Sequence, residues 1–98
     1  MYKVTGTEKF SRDFGLKDQI QRSSVSVVSN IAEGYDRTSK KEFLHFLSIS
    51  SGSLAELRTQ LEIAQAIGYI KADEFKLLDE SCCYIGKMLT NLKKSRRT

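Results

Sequence analysis

A chain of 98 residues with no proline, two cysteines and a formal charge of +4 suits one domain, 1–98, and leaves little room for two. Without the strongest helix breaker, and with Leu, Ile, Ala, Lys, Glu and Ser prominent, the composition favours an all-α fold. No apolar run approaches a membrane span, and Met1-Tyr2-Lys3-Val4-Thr5-Gly6 lacks the apolar stretch of a signal peptide, so a membrane protein is excluded and a cytoplasmic one expected.

Thr5-Gly6-Thr7 and Gly15 interrupt any regular helix at the start, where Phe10 and Phe14 are expected to cover one end of a bundle. The first clear helix, about 16–35, places Leu16, Ile20, Ser24, Val27 and Ile31 at spacings of four and three, and Val28 is expected to widen that stripe. The run Ser23-Ser24-Val25-Ser26-Val27-Val28-Ser29 has poor helix propensity and, read alone, could pass for a strand; the helical spacing on both sides argues for helix held by packing.

Ser39-Lys40-Lys41-Glu42 forms a capping box, in which the serine accepts from the third amide and the glutamate reaches back to the cap amide. A second helix, about 40–67, follows. Its seam of Phe43, Leu47, Ser50, Leu54, Leu57, Leu61 and Ala64 alternates four and three, and Gly68 suits the left-handed residue that ends it. The third helix, about 73–93, starts near Ala72 or Asp73 and carries the stripe Phe75, Leu78, Cys82, Ile85, Leu89 and Leu92. Short turns between three helices predict an antiparallel, up-and-down bundle.

The charge is polarised along the chain. Residues 1–41 carry eight Lys/Arg against five Asp/Glu, residues 42–92 carry four against seven, and the tail 93–98 adds Lys93, Lys94, Arg96 and Arg97. Candidate nucleic-acid contacts are therefore Arg22, Arg37, Lys40 and Lys41 with those four tail residues, while Lys9, Arg12 and Lys17 add to the basic end and Tyr35 offers a stacking face. The competing reading takes the tail as a solvated end. Asn30 and Glu33 stand on the first helix, and the small-residue patch Ser48-Ile49-Ser50-Ser51-Gly52-Ser53 permits close helix approach. A structural polar network is expected in which Asn30 or Glu33 pairs with Ser53 or Arg58 and specifies register.

Signals for chemistry are weak. Cys82 and Cys83 point about 100° apart on a helix and do not pair with each other, and neither the usual zinc spacing nor a second cysteine pair is present. Glu42-Phe43-Leu44-His45 matches the Glu-x-x-His spacing of di-iron bundles, but His45 is the sole histidine and Glu42 already serves the capping box. The serines have no histidine at a telling spacing, and the glycines form no phosphate loop. No catalytic residue, cofactor or metal is assigned, and a metal-dependent enzyme remains only as a remote alternative.

The series Phe14-Gly15-Leu16, Gln19-Ile20, Arg22, Ser26, Asn30-Ile31-Ala32-Glu33-Gly34, Arg37, Glu42-Phe43, Phe46-Leu47, Gly52-Ser53, Glu56-Leu57 and Gly68-Tyr69-Ile70 resembles the four-helix-bundle proteins encoded in intervening sequences of bacterial 23S ribosomal RNA genes. That family is similar in turn to the accessory variability determinant of diversity-generating retroelements. The resemblance covers nearly the whole chain, and the asparagine-to-glycine run before an arginine is its most specific part. It implies a non-enzymatic bundle that assembles into a homo-oligomeric ring, a pentamer, with structured RNA or a nucleoprotein as partner and no membrane or small-molecule substrate. The matching positions are Arg22, Asn30, Glu33 and Arg37. Family members carry a full helix before the phenylalanine-containing turn, whereas Tyr2-Lys3-Val4-Thr5 represents only its last turn here. A bundle with its first helix largely missing exposes an apolar groove, whether the start is misassigned or another chain fills the place, and an obligate oligomer is expected. A purely structural protein–protein interaction module without nucleic-acid binding is the alternative.

Overall fold

The structure is a computed structural model that describes residues 13–97, with side chains up to Ser95. Within that range there are three α-helices and no strand: α1 Phe14–Tyr35, α2 Lys40–Ala66 and α3 Ala72–Arg97. Phe10 and the segment Tyr2-Lys3-Val4-Thr5 lie outside the described residues.

The three helix starts and the end of α2 have chemical causes. Asp13 Oδ1 accepts the Leu16 amide at 3.1 Å and caps α1. Ser39 Oγ accepts the Glu42 amide at 3.3 Å and starts α2. The end of α2 is a Schellman turn: Tyr69 N–H reaches the Ala64 carbonyl at 2.8 Å, Gly68 N–H reaches that of Gln65 at 3.0 Å, and Gly68 takes φ +83°. Only glycine adopts that backbone without strain. At α3 the reciprocal device appears, with Glu74 Oε1 accepting the Lys71 amide at 3.0 Å. α3 continues to Arg97, so residues 93–97 of the expected tail extend the helix. Nothing there stops it, because lysine and arginine are good helix formers and their charge complements the C-terminal end of the dipole.

The whole predicted seam of α2, from Phe43 to Ala64, is buried. Around it close Ile20 and Val27 from α1, Ile70 from the turn, and Cys82 and Leu89 from α3. Burying each of the larger aliphatic side chains contributes roughly 1.5–3 kcal/mol. α2 is the central element, with a more extensive interface to α1 than to α3. Contacts between α1 and α2 run in opposite numerical order, from Gly34 against Phe43 and Phe46, through Val27 against Ser50, to Ser26 against Ser53.

Two expectations for α1 are corrected. Phe14 is 75% exposed and does not cover an end of the bundle, and Val28 is 67% exposed rather than part of the buried stripe. The buried face of α1 is set instead by Ile20, Ser23, Val27 and Gly34, whose small members let α2 approach and turn Val28 outward. No helix among the described residues is long and apolar enough to cross a membrane.

Candidate functional site

The turn between α1 and α2 gathers charge and aromatic rings. Arg37 pairs with Glu33 one helical turn back, and its Nε lies 3.8 Å from Glu42 Oε2. The same guanidinium sits 5.1 Å from the Phe46 ring centroid, a cation–π contact. Tyr35 meets Phe43 edge-on at 5.3 Å and 73°, and His45 meets Phe46 likewise at 5.6 Å and 69°. Glu42 thus directs its carboxylate to Arg37, and only the serine half of the expected capping box forms. Gly34 is buried beneath this cluster, where an added Cβ would stand 3.4 Å from Phe46 Cβ.

Further along the same interface, hydroxyls replace methyl groups. Asn30 Nδ2 donates to the Ser26 carbonyl at 2.8 Å and to Ser26 Oγ at 3.1 Å, and Ser26 Oγ shares a 2.7 Å hydrogen bond with Ser53 Oγ. Asn30 and Ser53 are therefore linked through Ser26. Glu33 faces Arg37, while Arg58 reaches α3, where its Nε donates to Asp79 Oδ1 at 3.0 Å. That hydrogen bond, with the charge of Asp79, raises the Arg58 pKa. Ser26 stands in the family series and on the serine-rich face of α1, whereas Asp79 was not singled out from the sequence, and nothing local marks it.

The candidate nucleic-acid residues occupy different parts of the molecule. Arg22 is exposed and pairs with Asp18 at 2.8 Å. Lys40 and Lys41 are exposed beside Arg37, whereas Lys93 is half-buried and Lys94 exposed near the end of α3. Arg96 and Arg97 continue the α3 backbone, and their side chains lie outside the described residues.

Cys82 is 2% exposed and burial pushes its thiol pKa up; Cys83 is half-buried, and both are free thiols. Among the described residues, no group of three or more His, Cys, Asp or Glu side chains converges as metal ligands would.

Outside the core, α1 carries a second stripe. Phe14, Gln21, Val25, Val28, Ala32 and Tyr35 fall on one outward face, and Phe14, Val25, Val28 and Tyr35 are among the most exposed large apolar residues. The sequence spacing contained it, but the buried stripe beside it drew the assignment of Val28.

A family model described as 23S rRNA-intervening sequence protein matches residues 1–91. No curated protein matches the chain. Among solved structures, the chain is similar to a protein with unknown function from the S23 ribosomal protein family of Bacteroides thetaiotaomicron. The two share 27% sequence identity and a TM-score of 0.87, over 95% of this chain and 84% of the other.

Proposed function

This chain belongs to the 23S rRNA-intervening sequence protein family, and from that premise we propose that it acts as a non-enzymatic, self-associating antiparallel helical bundle of one domain in the cytoplasm. The observation that carries the reading is the outward stripe of α1, where Val28 is 67% and Tyr35 is 55% exposed. Leaving such a surface in water forgoes roughly 25 cal/mol per Å² of apolar area, which a second copy recovers by covering it. The four-helix plan of the family and a closed ring of five copies are the arrangement that the resemblance supports.

Lys40 and Lys41, with Lys93, Lys94, Arg96 and Arg97, are the cations offered to structured RNA or a nucleoprotein. A second reading, a protein–protein module that touches no nucleic acid, is favoured by the engagement of Arg22 by Asp18 and of Arg37 by Glu33 and Glu42. Light scattering on the wild type and on a Val25→Lys/Val28→Glu variant tests self-association. The wild type runs as an oligomer at micromolar concentration and the variant falls apart; a stable wild-type monomer would sink the proposal. RNA binding measured across salt, with Lys40, Lys41 and tail variants, separates the two readings, since phosphate contacts give a salt slope that falls as cations are removed.

A further inference from the structure

α3 presents a face to solvent that the bundle does not use. Leu77, Ser81, Tyr84, Met88, Asn91 and Ser95 alternate four and three along it, and Leu77 and Tyr84 are 68% and 72% exposed. Tyr84 stands as a ridge between two hollows. One, of about 450 Å³, is lined by residues including Leu77, Glu80 and Ile85; the other, of about 510 Å³, by residues including Lys87, Met88 and Leu92.

One flank of this face carries Asp73, Glu80, Lys87 and Lys94 at intervals of seven residues, all exposed. The order of sign is minus, minus, plus, plus. In a parallel pair this row would face the opposite flank of the partner and find no such match. Laid antiparallel about an axis near residues 83 and 84, it matches Glu80 with Lys87 and Asp73 with Lys94, twice each. At about 1.5 Å of rise per residue, Glu80 and Lys87 lie about 10 Å apart along the helix and Asp73 and Lys94 about 32 Å, so the matching spans most of α3.

We infer that α3 docks against α3 of a second copy, antiparallel about a two-fold axis, with Tyr84 of each copy seated in a hollow of the other. The contact is isologous, so each favourable pair occurs twice. Leu77, Tyr84 and Met88 supply the apolar area, and the flanking charges favour the antiparallel orientation, the one in which this row faces its own copy. This pairing rests on the self-association proposed above and adds to it a face distinct from the α1 stripe.

The test is charge reversal and charge swap, read by sedimentation velocity at low salt with helix content followed by circular dichroism. E80K and K87E each place like charges across the axis and raise the concentration needed for this association step about tenfold. The double variant E80K/K87E restores every pair with reversed polarity and returns association to near the wild-type level. Single reversals that associate like the wild type, or a double variant that stays as weak as the singles, would overturn the α3 pairing while leaving self-association through α1 intact. A wild type that does not associate at all overturns both.

Discussion

The Ser50 hydroxyl donates to the Val27 carbonyl at 2.7 Å across the interface of α1 and α2, from a side chain that is fully buried. A serine in an otherwise apolar seam serves two purposes here: it is small enough to let the helices approach, and it satisfies its own hydroxyl on the neighbouring backbone. Ser50→Ala keeps the space and removes the bond, and a loss of about 1 kcal/mol is expected in chemical denaturation. Ser50→Leu must push α1 away and is expected to cost about 2 kcal/mol or more. Equal stability of all three proteins would show that the close approach matters for neither reason.

The two glycines at helix ends should respond in opposite directions to alanine. Gly68 holds φ +83° in the Schellman turn, so Gly68→Ala is expected to lose about 1 kcal/mol from backbone strain. Gly34 is helical and an added methyl meets Phe46 Cβ at 3.4 Å, ordinary contact, so Gly34→Ala is expected to be neutral or to gain up to about 1 kcal/mol. Gly34→Leu would collide with Phe43 and Phe46 and destabilise by about 2 kcal/mol. Thermal unfolding of the three variants checks the order.

Burial raises the Cys82 pKa in the folded chain, and its hydrogen bond to Asp13, together with burial, raises that of Tyr69. In both cases the protonated form is neutral and the fold favours it. The unfolded chain therefore ionises first as pH rises, binds fewer protons than the folded chain, and gains stability relative to it. Stability contributed by these groups is complete below about pH 8.5 and declines as pH climbs through the ordinary cysteine and tyrosine range toward the folded values. Denaturation midpoints measured from pH 7 to 10.5 should fall, and Cys82→Ala should flatten the lower part of that fall. In the native protein at pH 8, a thiol reagent should modify Cys83 well before Cys82; equal rates would mean that the Cys82 site opens freely.

Arg58 and Asp79 join α2 to α3 in a half-exposed pair, so their coupling is expected to be small. A double-mutant cycle with Arg58→Met and Asp79→Asn should give about 0.5–1 kcal/mol at low salt, shrinking toward zero at about 1 M salt. A coupling that ignores salt would point to packing of the arginine stem rather than to charge.

How much of this could be read from the sequence differs from helix to helix. The α2 seam was legible in full because it is flanked on both sides and its seven positions have a single environment. α1 was harder: Val25 and Val28 satisfy the same periodicity as the core, and only the small residues Ser23 and Gly34 reveal which face α2 approaches. On α3, Phe75, Leu78, Ile85 and Leu92 are half-buried rather than buried, since that helix packs mainly on one neighbour. The expected polar network shows the same limit. Asn30 and Ser53 are connected through Ser26, a partner found by three-dimensional register, whereas the link from Arg58 to Asp79 spans 21 residues and left no local signal.

Asp13 uses both carboxylate oxygens: one caps α1 through the Leu16 amide, and the other accepts the Tyr69 hydroxyl at 3.0 Å from 56 residues away. The start of one helix and the turn leaving another are thus tied through a single side chain, which couples their fraying. In hydrogen exchange the first turn of α1 and the amides at Gly68 and Tyr69 should open as one cooperative unit, and Asp13→Ala should release both together.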